Sequence, residues 1–237
     1  MTWKDLNIPN TLTILRVLSV PFFIYFLLSH SLTLRFVAFV LFSLASLTDL
    51  VDGYIARKLN QETEFGKFLD PLADKFLVLG AFITFLFMTE QIQIWMVLCI
   101  VGRDMLITAL RYLAIWKGKS MRTSRFGKIK TAFQMFAIIV ILLSFVLITY
   151  KERGTINQMY LQGAEQGIGP FQMAVDSLLR FIEGPNESVF FGLSSFLPYF
   201  LMLFTTIITV ISGLRYVYAN YQLLLPPYRA PKEKPEA

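Results

Sequence analysis

Long apolar runs separated by short polar connections dominate the chain. A bilayer hydrocarbon core of about 30 Å requires roughly 20 apolar residues for each helical crossing. Six segments meet or approach that length, at about 11–29, 35–52, 71–89, 92–114, 131–150 and 196–218. The runs are continuous, which disfavours the short alternating strands of a membrane barrel. The pattern predicts an all-α polytopic membrane protein with six transmembrane helices.

Basic residues concentrate on one side of this predicted bundle. The connections 53–70 and 115–130 are rich in Lys and Arg, whereas the opposite connections carry few, and acidic residues outnumber basic ones in 151–195. Cytoplasmic loops of membrane proteins carry the excess of Lys and Arg. We therefore expect both termini to lie in the cytoplasm.

The connection 151–195 is long for a compact bundle and predicts an extramembrane insertion. Residues 1–150 and 196–225 then form a single transmembrane bundle, and the Pro-rich, charged end 226–237 is expected to be a flexible cytoplasmic tail. Within the insertion, apolar residues recur at helical spacing: Phe171, Ala174, Val175, Leu178 and Ile182. They predict an amphipathic helix that either lies on the bilayer surface or covers the bundle.

Composition narrows the class of protein further. Of the 237 residues, 55% are hydrophobic and 16% are charged, which excludes a disordered chain and an ordinary soluble domain. The formal net charge is +6, but the basic residues lie between apolar runs and form no single polar face. An anionic membrane surface or a phosphorylated substrate therefore fits better than nucleic acid. The single cysteine, Cys99, excludes an internal disulfide.

Four aspartates flank the connection between the second and third segments. Asp49 and Asp52 are three residues apart, and Asp70 and Asp74 are four apart, so each pair shares one face of a helix. The two pairs lie at helix ends beside the membrane and can converge on one site. Any one of these residues alone could be a solvated helix cap.

Four convergent carboxylates predict bound cations. Like charges raise one another's pKa, so the carboxylates stay ionised together only with a counter-charge. All-oxygen donors suit hard ions such as Mg²⁺ or Mn²⁺, whereas Zn²⁺ would be expected to recruit His or Cys. Only His30 and Cys99 are available for that purpose. The quartet could hold two such divalent ions.

The spacing D-x2-D-G-x2-A-R-x8-G-x3-D-x3-D resembles the signature of the CDP-alcohol phosphatidyltransferase family. The resemblance implies a six-helix membrane enzyme, usually a homodimer, in a bacterial inner or cell membrane. It also implies that Asp49, Asp52, Asp70 and Asp74 hold two metal ions over the diphosphate of a CDP-lipid, with Asp74 as general base. The residues implied to bind the CDP-lipid are Asn10, Gly53, Ala56, Arg57 and Gly66.

Other stretches resemble the phosphatidylglycerophosphate synthase branch of this family. They are 9–16, 102–111 and 127–131. This resemblance implies transfer of a phosphatidyl group from CDP-diacylglycerol to sn-glycerol 3-phosphate.

The charges in these stretches agree with a phosphorylated acceptor. Arg103 and Arg111 lie inside an apolar segment, where a charge is costly, so they should face a polar cavity. Lys128 and Lys130 approach from the neighbouring connection. Arg and Lys side chains together suit a phosphate dianion. The alternative is that Arg111 and the lysines only reach the membrane interface and fix the orientation.

Three alternative functions stay open at this stage. The same aspartates would serve a family member with another acceptor, such as a cardiolipin, phosphatidylserine or inositol-phosphate-type synthase. A cation transporter would also place carboxylates in a membrane, but here they cluster at one face and form no acidic series across the bilayer. A structural scaffold would leave the aspartate spacing unexplained.

Overall fold

The computed structural model describes residues 8–58, 64–116, 125–184 and 188–224, and the side chains of 10–48, 73, 75–114, 127, 129–184 and 188–221. Within these ranges the chain forms eight helices and no strand, which confirms the all-α prediction. The helices are α1 (Ile8–Leu28), α2 (Leu32–Lys58), α3 (Glu64–Met88), α4 (Ile94–Trp116), α5 (Arg125–Leu147), α6 (Tyr150–Glu165), α7 (Pro170–Glu183) and α8 (Val189–Leu224).

The six apolar segments predicted from the sequence correspond to α1 to α5 and α8. Three helical stretches among the described residues are long and apolar enough to cross a bilayer: Asn10–Leu28, Ile129–Leu147 and Val189–Tyr221. Two shorter apolar stretches, Leu32–Thr48 and Lys75–Met88, accompany them. The chain is therefore an integral membrane protein.

Helices α1 to α5 and α8 form a closed ring in which each helix packs on two neighbours. Going round it, α1 packs on α2, α2 on α5, α5 on α8, α8 on α4, α4 on α3, and α3 on α1. We call the end at which α2 and α4 finish and α3 and α5 begin the inner end. The opposite end, at which α1 and α3 finish, is the outer end.

Aromatic side chains fill the centre of the ring. The buried rings of Phe23 and Phe42 join α1 to α2 at a centroid distance of 5.5 Å. Those of Phe85 and Phe145 join α3 to α5 at 5.6 Å. Because lipid is as apolar as these side chains, close packing rather than exclusion of water holds such helices together. Near the outer end, the interior is therefore a packed core.

Helices α6 and α7 cover the outer end. The Asn157 side chain accepts from the Glu90 N–H at 3.3 Å and donates to the Met88 carbonyl at 3.0 Å. The buried Tyr160 hydroxyl donates to the Ser195 carbonyl at 2.9 Å, and burial raises the pKa of this phenol. Helix α6 therefore binds both the α3–α4 turn and the start of α8.

Helix α6 begins at a capping box formed by Thr149 and Glu152. The Glu152 carboxylate accepts from the Thr149 N–H at 2.7 Å, and Thr149 Oγ1 accepts from the Glu152 N–H at 3.2 Å. The backbone N–H groups at the start of a helix have no carbonyl partner within the helix, and the capping box gives two of them a side-chain acceptor. The apolar spacing of the sequence predicts no helix here, although Thr-x-x-Glu is a recognisable start signal.

Helix α7 is amphipathic. Ala174 and Ser177 are buried, and α7 packs on α8. Phe171 is 55% exposed, but its ring lies 6.4 Å and 6.3 Å from those of Tyr199 and Phe200 on α8. Leu179 and Ile182 are more than half exposed. The packing makes α7 a cover on the bundle, and it leaves part of the apolar face exposed.

Two buried arginines lie at the outer end. Arg35 is 2% exposed, and its Nη1 donates to the carbonyls of Phe145 at 2.5 Å and Ile148 at 3.2 Å. The Arg153 guanidinium lies over the rings of Tyr150 and Phe145, 5.2 Å and 5.9 Å from their centroids. Burial, and then the charge of Arg35, lower the pKa of Arg153. Helix-terminal carbonyls and aromatic faces therefore surround this pair.

Candidate active site

A cavity of about 530 Å³ opens between α3, α4 and α5. This volume is within the usual range for small-molecule sites, about 300–1,000 Å³. We call it the inner cavity. Its charged lining residues are Lys75, Arg103, Asp104, Arg111 and Lys130. The structure thus brings together three of the residues that the sequence predicted for an acceptor phosphate, Arg103, Arg111 and Lys130.

The periodicity of α4 explains why its polar residues meet here. Asp104, Thr108 and Arg111 recur at intervals of four and three residues, so they lie along one face of the helix. Arg103 precedes them and lines the same cavity. One face of an otherwise apolar helix therefore carries three of the polar residues that line the cavity.

Asp104 is the centre of an ion-pair network. Its carboxylate lies 2.8 Å from Arg103 Nη1 and 2.7 Å from Lys130 Nζ. The Lys130 side chain is 3% exposed and the Asp104 side chain 25%. A buried cation requires a partner to offset the loss of hydration. The Asp104 carboxylate pairs with both Arg103 on α4 and Lys130 on α5. It therefore fixes the two cations relative to each other.

Lys75 is a cation of this cavity that was not predicted from the sequence. Its Nζ donates to Thr108 Oγ1, and Thr108 in turn donates to the Asp104 carbonyl at 2.8 Å. Lys75 directly follows Asp74 on α3. A lysine inside an apolar segment was itself a signal, because such charges generally serve a function or have a partner.

Arg103 is held in position by α8. Its Nη2 donates to Ser212 Oγ at 2.9 Å. A Cβ atom added at the next residue, Gly213, would lie 2.8 Å from Arg103 Cγ. Only glycine leaves that space for the side chain. Neither α8 residue was predicted, because their role depends on a contact more than a hundred positions distant in sequence.

The inner cavity carries a strong positive charge. Four cationic side chains and one carboxylate line it, which leaves a formal net charge of +3. A phosphate monoester carries close to −2 near neutral pH. Arg and Lys donors in a partly buried site bind such groups strongly. The cavity can therefore bind an anionic phosphate group.

The residues predicted to hold metal ions and the CDP-lipid lie on α2 and α3, except Asn10, which lies on α1. Asp49, Asp52, Gly53, Ala56 and Arg57 belong to α2, whereas Gly66, Asp70 and Asp74 belong to α3. Their side chains, and that of Lys128 on α5, lie outside the described residues. Asn10 is buried at the start of α1.

The backbone fixes where the aspartate-bearing segments lie. Helix α2 finishes and α3 begins at the inner end, and both pack on α1. Among the described side chains, no group of three or more His, Cys, Asp or Glu residues could hold a metal ion.

Comparison with known proteins identifies the family. A family model described as CDP-alcohol phosphatidyltransferase matches residues 6–164, which is more than half of the 237-residue chain. The chain belongs to the CDP-alcohol phosphatidyltransferase family. The match includes all four aspartates and the cationic residues of the inner cavity. The protein is therefore a transferase of this class.

Individual relatives of this phosphatidyltransferase share one name, CDP-diacylglycerol–glycerol-3-phosphate 3-phosphatidyltransferase. The chain is 40% identical to the Bacillus subtilis (strain 168) protein over 149 residues, covering 58% of this chain and 77% of the relative. It is 44% identical to the Rickettsia felis protein over 141 residues, covering 59% and 76%. It is 40% identical to the Escherichia coli (strain K12) protein over 138 residues, covering 56% and 74%.

The family match ends within α6, before α7 and α8 begin. Ser212 and Gly213, which position Arg103, therefore lie outside the residues of this phosphatidyltransferase that match the family model.

Proposed function

We propose that the protein transfers the phosphatidyl group of CDP-diacylglycerol to sn-glycerol 3-phosphate, yielding phosphatidylglycerol phosphate and CMP. The relatives that share 40–44% identity carry the name of this reaction. The observation in the structure that supports it is the inner cavity, whose net charge of +3 suits a phosphorylated acceptor better than a neutral alcohol.

The CDP-lipid and its metal ions are assigned to the inner ends of α2 and α3. Asp49, Asp52, Asp70 and Asp74 offer carboxylate oxygens only, a donor set that fits two Mg²⁺ or Mn²⁺ ions. When bound, such ions offset the charge of a diphosphate and stabilise a departing nucleotide. Asn10, Gly53, Ala56, Arg57 and Gly66 are proposed to bind the CDP-lipid.

The chain's own residues then hold the acceptor and move one proton. Arg103, Arg111, Lys75 and Lys130 bind the acceptor phosphate, and Lys128 reinforces the positive field at the inner end. Asp74 accepts the proton of the acceptor hydroxyl as its oxygen attacks the phosphorus that bears diacylglycerol. The bond from that phosphorus to the CMP oxygen breaks. Since a metal-bound carboxylate is a weak base, positioning of the two substrates supplies much of the rate.

We further propose that α1 to α5 and α8 all cross the membrane, with both termini and the inner cavity on the cytoplasmic side. The helix bounds and the basic connections at the inner end support this orientation. The insertion with α6 and α7 then lies outside. We also propose that the protein lies in a bacterial inner or cell membrane and assembles as a homodimer.

The test is a transfer assay with purified protein in lipid nanodiscs. Radiolabelled CDP-diacylglycerol is offered with glycerol 3-phosphate, serine, inositol phosphate or phosphatidylglycerol in parallel, with and without chelator. We expect CMP release and labelled phosphatidylglycerol phosphate only with glycerol 3-phosphate, and no product after chelation. Faster transfer to another acceptor would overturn the acceptor assignment.

The proton-transfer role of Asp74 requires its own variant. Asp74→Asn is expected to abolish turnover with saturating Mg²⁺ at neutral pH, because the amide cannot accept the proton. Near-normal turnover would show that another group is the base.

A further inference from the structure

Gln134 on α5 has a buried amide donor without a partner. Its side chain is 3% exposed, and Nε2 makes no hydrogen bond within the described part of the chain. Buried polar groups almost always have a partner. Gln134 lines the inner cavity, so a molecule in that cavity can supply the missing acceptor atom.

Arg103 presents a second donor of the same kind in the same cavity. Its two Nη atoms bond Asp104 and Ser212, whereas its Nε is buried and lacks a partner among the described residues. Partnerless N–H groups also occur at the outer end, on Arg35 and Arg153. What distinguishes Gln134 and Arg103 is the cavity of about 530 Å³ that both line.

Lys130 supplies a third donor next to these two. Its ammonium group has three N–H bonds, and both Asp104 carboxylate oxygens accept from it. Gln134 follows Lys130 by four residues, on the same face of α5 and about 6 Å nearer the outer end. An amide, a guanidinium and an ammonium donor on α4 and α5 thus surround one end of the cavity.

We propose that Gln134 is a binding residue for the acceptor and donates its amide N–H to a phosphate oxygen, beside Arg103 Nε. The inference rests on the proposed function and names a residue of its acceptor site. Bound this way, the phosphate lies toward the outer end of the cavity. The hydroxyl end then extends toward the inner end of the cavity and toward Asp74 on α3.

The experiment compares two buried glutamines. Gln134→Met removes the amide but keeps the length of the side chain. Gln91→Met is the matched control, because Gln91 is 2% exposed at the outer end and its amide donor Nε2 is satisfied by the Ser194 carbonyl at 2.9 Å, whereas its Oε1 lacks a partner among the described residues. For each variant we would measure the unfolding temperature, its increase with glycerol 3-phosphate or inorganic phosphate, and KM for both substrates.

The two variants should behave in opposite ways. Gln134→Met should unfold at or above the wild-type temperature, because it removes a donor that is unsatisfied without ligand. Its KM for glycerol 3-phosphate should rise about tenfold, as for one lost hydrogen bond to a charged group, with kcat and KM for CDP-diacylglycerol within about twofold. Gln91→Met should unfold at a lower temperature and keep the acceptor KM.

Two results would overturn the assignment. One is a wild-type KM and wild-type stabilisation by glycerol 3-phosphate in Gln134→Met. The other is a lowered unfolding temperature in that variant with both KM values shifted together, as expected of a purely structural residue. If wild-type protein transfers nothing to glycerol 3-phosphate, the proposed function fails. Stabilisation by inorganic phosphate, lost only in Gln134→Met, would still support the phosphate contact.

Discussion

The inner cavity and the outer end of the bundle both hold arginines between the helices, but they surround them differently. At the outer end, Arg35 is 2% exposed and bonds two carbonyls near the end of α5, while Arg153 lies over aromatic rings. In the inner cavity, Arg103 is paired with Asp104 and Ser212 and still faces open volume. The outer arginines join helices, whereas the inner ones leave space for a ligand.

The comparison shows that a buried charge is by itself no sign of a binding site. An arginine that satisfies helix-terminal carbonyls contributes to stability. An arginine beside a cavity, with a carboxylate that fixes its position, is available to a second anion. Variants of the two sites should therefore separate stability from substrate binding.

The largest effect is expected for Arg103→Ala. The variant removes a partly buried cation from the acceptor site and leaves Asp104 with one partner fewer. Truncating such a group typically costs about 2–5 kcal/mol. We expect kcat/KM for glycerol 3-phosphate to fall about 1,000-fold, equivalent to about 4 kcal/mol. Steady-state assays in nanodiscs would measure it.

Arg103→Lys provides the control for this variant. It keeps the charge but cannot bond Asp104 and Ser212 in the same fork, so it should recover only part of the lost activity. Equal activity of both variants and wild type would show that Arg103 is a structural residue like Arg35.

The second largest effect is expected for Arg35→Met, and it should appear in stability. The variant deletes two hydrogen bonds from a charged donor to the carbonyls of Phe145 and Ile148 at the end of α5 and leaves those carbonyls without this donor. Unfolding should become easier by about 2–3 kcal/mol, measured by thermal unfolding in detergent. The KM of the remaining folded protein for glycerol 3-phosphate should not change. An acceptor KM that rises as in Arg103→Ala would contradict the division between the two ends.

The sequence predicted the helices of the membrane bundle better than it predicted the details of either arginine site. Continuous apolar runs determine helices of this length, so α1 to α5 and α8 were readable. Helix α6 was missed because its few apolar residues are spread among polar ones, and only its capping box marked the start.

Some cationic residues of the acceptor site could be predicted from the sequence. A charge inside an apolar segment is energetically costly, and it can be recognised from the neighbouring residues alone. Arg103 and Arg111 interrupt an apolar segment, and that interruption is visible in the sequence. Ser212 and Gly213 are ordinary residues of a membrane helix, and they matter only because α8 packs against α4. Contacts between distant segments cannot be read from local pattern.

A smaller effect is expected for Gly213→Ala, which moves Arg103 without changing it. The added methyl group would lie 2.8 Å from Arg103 Cγ, so the side chain must shift away from Ser212. We expect the acceptor KM to rise about tenfold, equivalent to about 1.4 kcal/mol, with little change in KM for CDP-diacylglycerol.

Gly102→Ala is the matched control for this variant, because, apart from its chain neighbours and the adjacent backbone of its own helix, no atom lies within 4 Å of the position of its added Cβ. Its acceptor KM should stay at the wild-type value. If Gly213→Ala has no more effect than Gly102→Ala, then Arg103 is not held in place by α8.

The smallest effect is expected for Glu152→Gln at the outer end, and it depends on pH. Hydrogen bonds from the Thr149 backbone and side chain lower the pKa of Glu152 from its ordinary value of 4.5. Only the carboxylate form gains from these bonds, so the stabilisation is complete above about pH 4.5 and is lost as pH falls through the lower pKa of the folded protein. Glutamine keeps a capping oxygen but has no charge. Because solvent screens this exposed carboxylate, the free energy of unfolding of wild type should exceed that of Glu152→Gln by only about 0.5 kcal/mol at pH 7.

Thermal unfolding from pH 3 to 7 should show this difference shrinking to zero at the acidic end. A constant difference would mean that the charge of Glu152 contributes nothing to the cap.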